Sequence, residues 1–148
     1  MATKPNKPAR PNTGRLGEAI AHAFLERAGY VLVDVNVRPR RGEEDGRGIA
    51  GEIDVVAWDR LTLCFIEVKT RRGRAGETFP VEAVTPAKQS QIARLATAYA
   101  AQSGLMNGVE EIAFRFDVVS VILEPGNGDR VRHIHLLRGA FLAPDSVE

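Results

Sequence analysis

The sequence predicts an α/β fold in which a single mixed β-sheet carries a helix on each face. Two helical and five strand-like hydrophobic patterns follow one another in the order α-β-β-β-α-β-β. Packing one helix on each face of a sheet would bury both apolar helical stripes. The chain has 148 residues, of which 44% are hydrophobic and 26% charged, as expected for one globular domain.

The first predicted element is a helix from residue 13 to about residue 28, with Gly29 just past its end. Residues 1–12 are rich in Pro, Lys and Asn, and we expect them to form a disordered basic tail. The single domain is therefore predicted to span residues 13–143. The apolar stripe predicted for the helix consists of Leu16, Ala19, Ile20, Ala23 and Phe24.

Three strands are predicted next, over residues 30–37, 51–58 and 61–70, with a tight turn at Asp59–Arg60 between the last two. Residues 38–50 form a charged, glycine-rich loop. Its last glycines, with Gly51, have G-x-G-x-x-G spacing, but a polar loop precedes them and a strand follows. A dinucleotide site needs a strand before this motif and a helix after it, so that kind of site is excluded.

The second half of the chain predicts one helix and two strands. Thr85 caps a helix that has Pro86 in its first turn and runs to about residue 103. Strands follow over residues 113–123 and about 130–138. The core stripe predicted for this helix consists of Ile92, Leu95, Ala96, Tyr99 and Ala100.

Cysteine content and the lack of long apolar runs indicate the cellular compartment. The net charge is only +1, and the single cysteine, Cys64, lies among apolar residues, where a small buried hydrophobe is expected. No apolar run approaches the ~20 residues of a membrane span, and the N-terminus has no apolar signal segment. We therefore expect a cytoplasmic protein.

The third strand carries two charged residues, Glu67 and Lys69, which point to the same face. With a two-residue turn at Asp59–Arg60, Asp54 would pair with Phe65. Asp54 would then be the diagonal neighbour of Glu67, at a Cβ separation of about 7–8 Å. Two carboxylates so placed suit Mg²⁺ or Mn²⁺, which prefer hard oxygen ligands.

A structural ion pair is the alternative explanation, with Lys69 balancing Glu67 or Asp54. The three side chains together carry a net charge of −1 on otherwise apolar strands, which leaves one negative charge for a cation to balance. Lys69 would then orient or deprotonate an attacking water, or neutralise the charge that develops on a phosphate.

The segment "GEIDVVAWDRLTLCFIEVKTR" resembles the core of the PD-(D/E)XK nuclease superfamily, with Asp54, Glu67 and Lys69 as the motif. The chain more closely resembles the YraN-like family of small bacterial proteins, which is related to archaeal Holliday-junction resolvases. The matching segments are "GRLGEAIAHAFLERAGY", "GEID", "FIEVKTR", "AVTPAKQSQIARLATAYA", "RFDVVSV" and "GAF". The resemblance implies a restriction-endonuclease-like fold. The loop over 38–50 is longer and more charged than this family leads us to expect.

The resemblance adds three residues to the site. It implies that Glu18 lies near the metal and that Lys88 and Gln89 form a polar position on the second helix. A solvated glutamate and a surface lysine are the alternatives for Glu18 and Lys88. A cation in the first helical turn opposes the helix dipole by about 0.3–1 kcal/mol, which a nearby anion would offset.

Two further pairs are interpreted as structural. Arg115 and Asp117 share a strand face in the "RFD" segment and are predicted to form an ion pair. His133 and His135 also share a strand face. Without a third ligand at metal spacing, they predict an exposed strand surface and no metal site.

The leading hypothesis is a Mg²⁺- or Mn²⁺-dependent endonuclease of the PD-(D/E)XK type that acts on DNA, with branched or structured DNA as a candidate substrate. Asp54, Glu67, the Val68 carbonyl and Glu18 would hold the metal, and Lys69 would act in catalysis. The nucleic-acid-binding residues would be Arg71, Arg72, Arg74, Lys88 and Gln89. The alternative is a non-catalytic DNA-binding module on the same fold. A homodimer is left open.

Overall fold

The computed structural model describes residues 13–39, 50–74, 84–105, 108, 111–126 and 128–143. The predicted tail over residues 1–12 and most of the predicted loop over 38–50 lie outside these described residues. Within them, the element order is the predicted α-β-β-β-α-β-β. No helix in these ranges is both long enough and apolar enough to cross a membrane.

The five strands form one mixed sheet with the spatial order β1-β2-β3-β4-β5. β3 and β4 are parallel and are joined through the crossover helix α2, whereas the other neighbouring pairs are antiparallel. This arrangement is consistent with the restriction-endonuclease-like fold. The elements are α1 (Thr13–Arg27), β1 (Val31–Val37), β2 (Ile53–Asp59), β3 (Thr62–Arg72), α2 (Pro86–Gln102), β4 (Ala113–Leu123) and β5 (Val131–Phe141).

Each face of the sheet has its own hydrophobic core. Cys64 and Ile66 of β3 pack in the core beneath α1, whereas Leu63 and Phe65 pack in the core beneath α2. Because side chains alternate along a strand, this assigns Glu67 to the α2 face. Buried residues on the α1 side include Ala21, Leu25, Val55, Val119 and Val121, and those on the α2 side include Val56, Ile92, Leu95, Phe116 and Val118.

The stripe predicted for α1 is partly wrong. The buried residues of this helix are Gly17, Ala21 and Leu25, whereas Ala19 and Ala23 are exposed. Small residues at 17 and 21 let the helix lie close to β3, because a Cβ added to Gly17 would overlap the Thr70 side chain. Leu16 and Ile20 of the predicted stripe pack at the margin of this core.

The stripe predicted for α2 is confirmed, and so is the predicted burial of the single cysteine. Four of the five residues of the stripe are buried, and Tyr99 packs at the margin of the same core. Cys64 is fully buried on the α1 side, and burial raises the pKa of its thiol to about 12. The neutral thiol therefore behaves as a small hydrophobic side chain.

The β2–β3 turn is displaced by one residue from its predicted position. Asp59 pairs with Thr62, so Arg60 and Leu61 form the turn, with Arg60 in the left-handed region at φ 55°. Asp59 stays in the strand, where its carboxylate accepts a hydrogen bond from Arg115 at 2.7 Å. The register therefore shifts by two residues, and an even shift leaves each side chain on its predicted face.

We expect Gly17→Ala to destabilise the protein by about 1–3 kcal/mol, because the added methyl group must displace Thr70 in a packed core. Helix propensity alone predicts the opposite sign, a gain of about 1 kcal/mol. Urea unfolding measures the difference. Gly128→Ala is the matched control, since a Cβ added there would contact nothing within 4 Å. A Gly17→Ala protein as stable as this control would contradict the close approach of α1 to β3.

Candidate functional site

Asp54 and Glu67 face each other across the β2–β3 pair. Val55 pairs with Ile66, and the same register continued by one residue puts Asp54 directly opposite Glu67. We predicted Asp54 opposite Phe65 and diagonal to Glu67; the shifted turn corrects this. The two carboxyl groups are therefore closer than predicted, and the neighbouring Asp54 carboxyl raises the pKa of Glu67.

The Asp54 carboxylate is held by the backbone of β3. The Val68 N–H donates to Asp54 Oδ2 at 2.8 Å. Burial is the largest influence on the Asp54 carboxyl and raises its pKa, although the Val68 N–H acts in the opposite direction. Glu52 raises this pKa further and Lys88 lowers it. The net effect is a carboxyl group whose ionisation is disfavoured unless a cation joins it.

Glu67 is the more perturbed of the two carboxyl groups. Burial and the neighbouring Asp54 raise its pKa to about 7, and its side chain is only 12% exposed. Lys88 Nζ lies 3.7 Å from Glu67 Oε1, and both Lys88 and Lys69 act to lower this pKa. Near neutral pH the Asp54–Glu67 pair therefore tends to hold one proton. A cation bound in the same position could stabilise the two carboxylates instead.

A second group of carboxylates extends the site toward α1 and β1. Glu18, Glu52 and Asp54 each offer an oxygen, and these oxygens lie within 4.8 Å of one another. Burial, followed by Asp54 and Glu52, raises the pKa of the Glu18 carboxyl, and the nearby His22 and Asn36 oppose this increase. Glu18 therefore lies beside Asp54. Metal binding by Glu18 stays a prediction.

Glu52 is a site residue that the sequence analysis missed. It lies two residues before Asp54, and alternation along an extended segment predicts the same face for both side chains. That spacing in "GEID" was the available signal. Glu52 also forms an ion pair with Arg38, whose Nε lies 3.2 Å from Glu52 Oε2, and the Arg38 side chain is 78% exposed.

The start of α2 brings Lys88 to the site and leaves Gln89 elsewhere. Thr85 caps the helix, its hydroxyl oxygen accepting from the Lys88 N–H at 3.3 Å, with Pro86 in the first turn as predicted. The Gln89 side-chain amide donates to the Val84 carbonyl at 2.8 Å, so it secures the helix start.

The three arginines after Lys69 do not share one surface. β3 continues to Arg72 and does not end near residue 70, so Arg71 shares the α2 face with Lys69, while Arg72 points the other way. The Arg72 guanidinium donates to the carbonyls of Glu124 at 3.3 Å and Gly128 at 2.6 Å. Arg74 follows the strand and is exposed. Nucleic-acid binding by these arginines stays a prediction.

The predicted ion pair between Arg115 and Asp117 is confirmed. It lies on the α1 face of the sheet, whereas Glu67 lies on the α2 face. Arg115 Nε donates to Asp117 Oδ1 at 2.8 Å and Nη2 to Oδ2 at 2.9 Å. Tyr30 and the Gly139 N–H also donate to the Asp117 carboxylate, at 2.8 and 2.9 Å. The same Arg115 holds Asp59. Both oxygens of Asp117 are therefore paired, and the network stabilises the far end of the sheet.

An apolar cavity of about 340 Å³ lies between α2 and strands β4 and β5. Its lining includes Phe65, Phe116, Phe141 and several alanines of α2, but none of the acidic residues described above. The carboxylates therefore lie outside this cavity.

Comparison with known proteins gives a family but no activity. A family model described as "Uncharacterised protein family UPF0102" matches residues 17–121. UPF0102 proteins of Symbiobacterium thermophilum and Chlorobium phaeobacteroides are 46% and 43% identical to this chain. These alignments cover 88% and 87% of this chain, and 96% and 93% of the relatives. The similarity therefore extends over nearly the whole length of each protein.

The raised pKa of Glu67 predicts a pH dependence of stability in EDTA. Protonated Glu67 stabilises the fold; this contribution is complete below the ordinary value of 4.5 and is lost as pH rises through about 7. We expect it to reduce the unfolding free energy by about 1–3 kcal/mol between pH 5 and pH 8. Urea unfolding across this range measures the loss.

The Glu67→Gln protein should lack this component and show a flatter pH profile. Glu26→Gln is the control, because Glu26 is an exposed residue of α1 and its loss should leave the pH profile unchanged. A Glu67→Gln protein with the same pH slope as the native protein would contradict the assignment.

Proposed function

Because this chain belongs to the uncharacterised protein family UPF0102, the YraN-like family, we propose a function from its site: a divalent-metal-dependent nuclease that hydrolyses DNA phosphodiester bonds. The observation that carries the proposal is the buried Asp54–Glu67 pair with Lys69 on the same strand face. The segments that resemble the PD-(D/E)XK core contain these three residues.

The donor set of the site fits Mg²⁺ or Mn²⁺. Asp54 and Glu67 supply carboxylates at a point where burial disfavours two negative charges. The Val68 N–H faces Asp54, and in an extended strand the carbonyl of the same residue points to the same side, so this carbonyl would be a third donor. Glu18 and Glu52 approach Asp54 from the α1 side. All these donors are oxygens, as these hard cations prefer.

The chain's own residues would divide the chemistry among them. A bound divalent cation would polarise a phosphate oxygen and lower the pKa of a water. Lys69 would orient that water or stabilise the negative charge that develops on the phosphate. Lys88, beside Glu67, would balance the carboxylates and contact the scissile phosphate group. Arg71 and Arg74 would contact the flanking phosphate backbone.

The metal part of the proposal predicts a thermal shift. At a Mn²⁺ concentration ten times the dissociation constant, binding to the native state adds about 1.4 kcal/mol of stability, or several degrees in Tm. Asp54→Asn should abolish the shift, whereas the exposed-site control Glu26→Gln should keep it. Glu52→Gln should reduce it. An unchanged Tm in millimolar Mn²⁺ would contradict a metal site at Asp54.

The catalytic part predicts that Lys69→Ala lowers the cleavage rate by about 10²–10⁴-fold, the usual contribution of a general acid–base group. The assay uses linear duplex, single-stranded and branched DNA with Mg²⁺ or Mn²⁺, which also tests branched DNA as a candidate substrate. Arg94→Ala, a loss of positive charge at an exposed position of α2, is the matched control.

Two outcomes separate the alternatives. A Lys69→Ala protein that cleaves at the native rate, or that is unfolded even with Mg²⁺ present, would remove Lys69 from the proposed chemistry. DNA binding by the native protein without cleavage of any substrate would instead support the non-catalytic DNA-binding module.

A further inference from the structure

The α2 face of the sheet continues beyond Glu67 into a row that crosses three strands. Lys69 of β3 pairs with Ser120 of β4, and Ser120 pairs with His135 of β5. Residues paired across strands share a face, so the Lys69 and His135 side chains flank Ser120 on one surface. Because neighbouring strands are about 4.8 Å apart, the two backbones are separated by about 10 Å. Ser120 itself is buried.

A second row repeats this arrangement two residues further along the sheet. Arg71 pairs with Ile122, and Ile122 pairs with His133. The offset between the rows is about 7 Å, since each residue of a strand advances the chain by about 3.3 Å. A cationic side chain of β3 and an imidazole of β5 therefore occur together in both rows.

The two imidazoles are neighbours on the edge strand of the sheet. Their ring centroids are 4.2 Å apart, and the rings meet edge to face at 72°. His133 is exposed and His135 is half-buried. An imidazole can donate N–H hydrogen bonds and can stack against a nucleobase, and histidine gains a positive charge close to physiological pH.

The neighbouring charges favour an anion over a metal ion at this histidine pair. From β3 the groups on this face are Lys69 and Arg71, both cations, and from β4 they are the uncharged Ser120 and Ile122. Among the described residues, neither histidine belongs to a group of three or more ligands able to hold a metal ion. Two cations on one side would repel a metal ion and attract a phosphate.

We propose that these rows form a phosphate track, defined by Lys69, Arg71, His133 and His135, which holds a nucleic-acid strand as it leaves the carboxylate site. The inference rests on the proposed nuclease function and adds a direction to it: the strand runs from Glu67 across β4 to the β5 edge. Lys69 begins the track and also borders the carboxylates, so the phosphate next to the scissile one meets the track first.

The double substitution His133→Gln/His135→Gln tests the track. Binding to single-stranded and duplex DNA is measured with Ca²⁺ as the divalent ion, at several salt concentrations, at pH 6 and pH 8. At pH 6 we expect about tenfold weaker binding and a salt slope flatter by about 1–2 units, because each lost phosphate contact removes about 0.7–0.9. The same comparison at pH 8 tests whether the difference in slope depends on pH.

Arg27→Gln is the control for a general loss of positive charge. Arg27 is exposed at the end of α1, on the other face of the sheet, so its loss should leave the salt slope unchanged at both pH values. The double variant should keep the Tm of the native protein and any stabilisation by Mn²⁺. If it does not fold, the single substitution at the exposed His133 takes its place.

The outcomes distinguish this proposal from the one on which it rests. If the double variant binds DNA with native affinity and slope while the native protein cleaves DNA, the track is wrong and the nuclease proposal stands. An equal loss in the Arg27→Gln control would also overturn the track. If the native protein neither binds nor cleaves DNA, both proposals fail.

Discussion

The carboxyl groups of Asp54 and Glu67 lie opposite each other on β2 and β3, where water is largely excluded. Their proximity constrains which groups can surround them. Burial raises the pKa of both groups. Two charged oxygens held together in a medium of low dielectric repel strongly, so the surroundings must supply donors or cations. The Val68 N–H and the Lys88 ammonium group meet that need in part. The first turn of α2 carries Lys88 to this point.

The opposite face of the sheet contains another buried carboxylate, that of Asp117, which has a different set of hydrogen-bond partners. Asp117 is 1% exposed, yet its two oxygens accept hydrogen bonds from Arg115, Tyr30 and the Gly139 N–H. Gly139 can present its N–H because it adopts φ 63° beside an irregularity in the β4–β5 register. Among the described residues, the Asp117 oxygens thus have a larger set of hydrogen-bond donors than the Asp54 and Glu67 carboxyl groups. That contrast is typical of a structural network beside a functional site.

The fold, and the shared face of Asp54 and Glu67, could be predicted from the sequence. The face on which a strand residue lies depends only on whether its position in the strand is odd or even. The predicted register was wrong by two residues, yet Asp54 and Glu67 still shared a face. The exact turn could not be predicted, since it depends on the distant Arg115 that keeps Asp59 in the strand. The buried face of α1 was predicted wrongly because Gly17 makes the close contact of this helix with Thr70 of β3. A search for apolar side chains at helical spacing does not include glycine.

The burial of Cys64 makes the protein its own reporter of global unfolding. It is the chain's single cysteine, it is wholly enclosed beneath α1, and its thiol has a pKa of about 12. Alkylating reagents attack the thiolate, so the native molecule should be inert to them. Reaction requires the central strand β3 to separate from α1, which amounts to opening the core. The rate of alkylation therefore follows the population of the opened state, without any added probe.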